Sequence, residues 1–132
     1  MTQSRHVCVR IAAPADAVHS YAADPAHLPI WAAGLADGSV EQVDGQWFVD
    51  SPMGRVSVQF AAPNDVGLLD HTVTLPSGEQ VLNPMRVLPD GDGCEVVFTV
   101  RRRPGMSPEQ FDADCRAVAA DLNTLRSIVE RA

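Results

Sequence analysis

Residues 107 to 131 leave the chain little freedom in how it folds. Ser107, Pro108 and Gln110 form a capping-box start, and Phe111, Cys115, Val118, Leu122, Leu125 and Val129 then recur at alternating steps of four and three. That spacing predicts a long helix with one continuous apolar stripe. The stripe must be buried against another part of the same chain.

What precedes it is mostly strand. Residues 6 to 11, HVCVRI, alternate apolar and polar, and so do SVEQV, QWFVD, RVSVQF, LLDHTVTL, QVLNPMRVL and CEVVFTVR between residues 39 and 101. Asp44-Gly45 is a hairpin signal, and the other strands are joined by longer loops rich in Pro and Gly. Between the first strand and the meander, Pro14 opens a short helix to about Tyr21. Asp24-Pro25 repeats the start signal, and Pro29 heads a further turn ended by Gly34. The expectation is an α+β fold: a seven-stranded curved antiparallel sheet wrapped around a long C-terminal helix, with two short helices after strand 1. No linker or repeat interrupts it, so residues 1–132 are read as a single domain.

Charge and missing motifs exclude several functions. A net charge of -7 disfavours binding to nucleic-acid phosphates or anionic lipid, and the triplet Arg101, Arg102, Arg103 reads as a solvated strand end. No run is long enough for a membrane span and the N-terminus lacks a signal-peptide centre, so a cytoplasmic protein is the default expectation. Cys8, Cys94 and Cys115 are odd in number and far apart, which reads as reduced, mostly buried thiols. The chain has no lysine, which removes Schiff-base chemistry, and it has no HxH, HExxH, GxSxG, GxGxxG or CxxC motif. Neither a metal nor a cofactor is expected.

The stretches IAAPADAV, of the form I-x-A-P-x-x-x-V, and DPAHLPIW, of the form D-P-x-x-L-P-x-W with Trp31 as its tryptophan, carry a resemblance. With the order of elements and the final helix, they resemble the START-like, or SRPBCC, superfamily. This helix-grip group includes polyketide cyclases, pathogenesis-related allergens and lipid-transfer domains. The resemblance covers nearly the whole chain. It implies a hydrophobic pocket between sheet and final helix, and it supplies no catalytic set, because the group has none in common.

The apolar faces suggest how the strands pair. Val49 opposite Val56 puts Trp47 opposite Val58, and Phe60 opposite Leu69 puts Val58 opposite His71. Val73 opposite Val81 then puts His71 opposite Asn83, and Val87 opposite Val96 puts Asn83 opposite Val100. The expected row is Trp47, Val58, His71, Asn83, Val100, beside Met85 and Phe98; closing the loop from Pro76 to Glu79 one residue differently would instead set His71 opposite Pro84. Trp31, Trp47, Val58, His71, Asn83, Met85 and Phe98 are therefore the candidate ligand contacts, with His71 also the candidate catalytic acid or base. Each has a plainer reading. His71 can be a core imidazole satisfied by Asn83, Asp114 or Asp121; Asn83 beside Pro84 can mark a bulge; Trp31, Trp47 and Met85 can be packing; Tyr21 can anchor the first helix. Asp70 and Arg86 fall on the outer face.

Three functions stay open: a binding module for a small hydrophobic or polyketide-like molecule, a cyclase, aromatase or dehydratase using His71, and a protein-interaction module with a filled core. The exposed edges of a meander leave a homodimer open as well.

Overall fold

The computed structural model describes residues 3–33 and 35–132. Strand β1 (Ser4–Ile11) is followed by helix α1 (Ala15–Ala22), a 3-10 turn (Pro25–His27) and the short helix α2 (Leu28–Trp31). Pro14 occupies the N-cap position of α1, one residue earlier than expected. Asp24 holds the 3-10 turn by accepting from the Ala26 N–H at 3.0 Å. Gly34, expected to end the second helical turn, lies outside the described residues.

The meander runs through β2 (Val40–Val43), β3 (Gln46–Ser51), β4 (Gly54–Phe60), β5 (His71–Thr74), β6 (Gln80–Asn83), β7 (Met85–Asp90) and β8 (Gly93–Arg101). Helix α3 (Pro108–Arg131) closes the chain, with the reciprocal Ser107–Gln110 capping box in place. All pairs are antiparallel. They form two sheets, β1-β8-β7 and β2-β3-β4-β5-β6, and not the single seven-stranded sheet expected from sequence.

Proline explains one side of the division. The segment QVLNPMRVL reads as one strand, but Pro84 has no N–H to give a ladder, and the chain breaks there into β6 and β7. On the other side the stretch GLLDHTVTL changes partners. Its first half pairs with β7, through Val87 N–H to the Gly67 carbonyl at 2.8 Å and Leu69 N–H to the Met85 carbonyl at 2.9 Å, while His71 onward pairs with β4 and β6. The seam between the sheets thus passes through Asp70 and Pro84.

Most of the expected register is present: Val49 faces Val56, Trp47 faces Val58, Val73 faces Val81, His71 faces Asn83 and Val87 faces Val96. One hairpin differs. Phe60 pairs with His71, so Val58 faces Val73 instead of His71. Residues 67–69 are committed to β7 and are unavailable to β4, which moves the pairing by two residues and keeps every side chain on its face. The row is broken again between Asn83 and Val100, which sit in different sheets.

The apolar face of α3, with Phe111, Cys115, Leu122, Leu125 and Val129 buried, packs mainly on β1 and to a lesser extent on β8, α2 and α1. These side chains join Val9, Ile11, Val18, Leu28, Met85 and Val96 in one core cluster. Cys94 and Cys115 are buried and their thiols pushed up by desolvation, so they stay protonated. Two of the three thiols are thus buried, as expected, and Cys8 is the exposed one because it points outward on β1.

Candidate functional site

His71 is the first residue of β5, immediately past the seam, and only 3% exposed. Its ring lies against Phe60, with centroids 4.9 Å apart, and meets Phe98 edge-on at 5.6 Å. Nδ1 is 3.1 Å from the Leu69 carbonyl oxygen. A carbonyl only accepts, so Nδ1 carries the hydrogen. Burial lowers the imidazole pKa below its ordinary value, outweighing the Leu69 bond and nearby Asp70, and the ring is neutral at pH 7. In that tautomer Nε2 holds a lone pair. Neither Asn83 nor an aspartate of α3 supplies the Nδ1 partner; the backbone two residues upstream of His71 does.

Around His71 the inner face of the larger sheet, the end of β8 and helices α2 and α3 line a partly open cavity of about 180 Å³. Its apolar wall includes Leu28, Trp31, Val73, Val81, Phe98, Val118 and Leu122, and its polar groups are His71, Asn83, Arg103, Asp114 and Asp121. Trp31 is 3% exposed, so it belongs to the wall and not to the mouth, and its buried indole N–H has no hydrogen-bond partner among the described residues. Asn83 is half-buried, directly opposite His71. Phe98 backs the imidazole.

The remaining candidates sit elsewhere. Trp47 and Val58 wall a second hollow of about 390 Å³ together with Gln46, Ser57, Gln59, Thr72, Thr74 and Gln80. That hollow is larger, but its polar lining is uncharged amide and hydroxyl side chains of the sheet, with no buried ionisable group. Met85 is fully buried and pairs with Phe98, away from the cavity wall. These three leave the cavity because the two-residue shift and the break at Pro84 divide the row of side chains that contained them. Tyr21 is outside it too: its ring stacks on His27 at 4.1 Å, which anchors α1 to the following turn.

Arg103 was not legible as a wall residue. The chain turns after β8, Arg102 Nε donates to the Met106 carbonyl, and Arg103 reaches the cavity edge beside Glu79 at 3.4 Å. The triplet is thus only partly a solvated strand end. No periodicity marks the change, since it occurs in a loop. Val73, Val81 and Leu122 read in sequence as apolar positions, but nothing in their spacing says which of them border empty space.

A family model described as polyketide cyclase / dehydrase and lipid transport matches residues 2–129. No curated protein matches the sequence. Among solved structures, the Zhui aromatase/cyclase from Streptomyces sp. R1128 is 19% identical with a TM-score of 0.72, covering 99% of this chain and 95% of that one. Ara h 8.0201 is 15% identical with a TM-score of 0.73 over the whole of both chains. DynU16, from the dynemicin biosynthetic locus, is 15% identical with a TM-score of 0.71; the match covers 96% of this chain but only 47% of that one. At such identities the likeness shows the fold.

Proposed function

The chain belongs to the polyketide cyclase / dehydrase and lipid transport family, and from that premise we propose that it binds a small, largely apolar molecule in the cavity between sheet and α3. The partly open cavity beside His71 carries the proposal. An apolar hole of about 150 Å³ holds benzene, so 180 Å³ suits a compact ligand of about one ring. An extended polyketide would need the wall to open. A few polar groups in a mostly apolar lining match how small-molecule sites combine affinity with orientation.

Val118 is half-buried and lines the cavity from α3. In Val118→Trp the indole occupies that space, and binding of a hydrophobic reporter dye is expected to be lost while the helical circular dichroism is kept. Undiminished dye binding would place the ligand elsewhere. Mass spectrometry of whatever copurifies from the native host identifies the ligand's chemistry.

A second reading is favoured by the His71 tautomer. With Nδ1–H held by Leu69, Nε2 is oriented as a general base for a substrate that enolises, and the reaction type is then that of a cyclase, aromatase or dehydratase. Turnover of an enolisable cyclic ketone, measured as solvent deuterium exchange, is expected to vanish in His71→Ala. Unchanged exchange in that variant excludes the enzyme reading.

A further inference from the structure

The hydrogen-bonding pattern on the cavity wall at His71 restricts the ligand further than the cavity's volume does. A neutral imidazole has one N–H, and the Leu69 carbonyl takes it. Nε2 can therefore only accept. A ligand carbonyl, ether or carboxylate placed there would set lone pair against lone pair, in surroundings where an unmet polar group is costly.

Asn83 faces His71 directly in the β5–β6 ladder. Such opposed residues hold their Cβ atoms about 4.5–5.5 Å apart on one face of the sheet. Among the described residues no hydrogen bond is made by the Asn83 amide, which offers both a donor and an acceptor. One ligand oxygen between the two residues would have to donate to Nε2 and accept from the amide N–H. A hydroxyl does both. Phe98 lines the cavity beside His71 and meets its ring edge-on, while Phe60 packs on the same ring from outside the cavity. The charged groups on the cavity wall are Asp114 and Asp121 from α3 against Arg103 alone, and Arg103 is already paired with Glu79 beyond the wall, so an anionic ligand is disfavoured.

Building on the proposed binding role, we infer that the cavity selects a neutral single-ring phenol whose hydroxyl donates to His71 Nε2 and accepts from the Asn83 amide. Phenol, anisole and toluene share nearly one shape and differ in this group alone. Isothermal titration of the full chain with each is expected to give phenol an affinity at least about tenfold above the other two. In His71→Leu and Asn83→Leu the phenol-to-toluene ratio is expected to fall toward one.

Anisole binding as tightly as phenol overturns the hydroxyl inference and leaves the cavity as a binding site. If none of the three binds, the binding role falls with it. Should the variants not fold, the nitrogen-15 shifts of His71 in the unaltered protein still decide. Nε2 is expected to be the unprotonated nitrogen and to move upfield when phenol is added. Hydrogen found on Nε2 instead overturns the inference.

Discussion

The Asp70 carboxylate accepts a 2.9 Å hydrogen bond from the Met85 backbone N–H, across the line where the two sheets part. Pro84 interrupts the β6–β7 strand at this point, and Met85 is the first residue beyond it with an N–H to place. The same carboxylate pairs with the Arg86 guanidinium. An aspartate that reads in sequence as outer-face decoration thus stands in for a strand bond at the seam.

Asp70→Ala is expected to destabilise the fold by about 1–3 kcal/mol, the usual penalty for leaving a shielded donor unpaired. Arg86→Ala removes only an ion pair whose members are 45% and 26% exposed, and should cost less than about 1 kcal/mol. Urea denaturation of the two variants measures the difference. Equal losses would assign the stabilisation to the ion pair.

Gly67 has a φ of +77°, and a Cβ there would lie 2.1 Å from the Val87 carbonyl oxygen. Its own carbonyl holds the Val87 N–H. Gly67→Ala must therefore pull β7 away from the 67–69 segment, on top of the strain of a left-handed alanine. A loss of more than about 2 kcal/mol is expected in thermal or urea unfolding. Gly78, also at positive φ but with nothing near its Cβ position, should lose less on the same change.

Leu122 is buried and borders the cavity from α3. Leu122→Ala is expected to cost about 2–5 kcal/mol, because the surrounding side chains relax only partly into the space. The same change enlarges the cavity, so a fused two-ring ligand should gain affinity relative to a single ring. Calorimetry on the variant reads both effects.

Burial holds the folded-state pKa of His71 below the unfolded value of about 6.5. Between those two values the unfolded chain binds more protons than the folded one, so stability falls as the pH drops. The contribution is complete above about pH 6.5 and is lost as the pH descends toward the folded-state pKa, by up to about 1.4 kcal/mol per pH unit. Urea midpoints measured from pH 7.5 to 5 should show this slope, and His71→Phe should flatten it. An unchanged slope in that variant would assign the acid sensitivity to another group.

The elements were legible because each depends on short-range chemistry. The steps of four and three from Phe111 to Val129 require a helix with a single buried stripe, and the Ser107–Gln110 pair places its start. Period-two alternation assigns a face to each strand residue, so His71 inward and Asp70 outward followed from sequence alone. The pairing of His71 with Asn83 needed the structure as well, because the loop from Pro76 to Glu79 could close one residue differently and set His71 against Pro84.

Sequence by itself therefore determined which residues are helical or extended, which faces are apolar, and that an imidazole sits inside. Tertiary structure decided that GLLDHTVTL serves two sheets, that Trp47, Val58 and Met85 leave the neighbourhood of His71, and that Arg103 enters it. Alternation specifies a face but not a partner: slipping β4 against β5 by two residues preserves every inward side chain, and only competition with β7 for residues 67–69 removes the ambiguity. The space beside His71 has the same origin. It is the volume left when two sheets diverge at Pro84 and one helix cannot cover both.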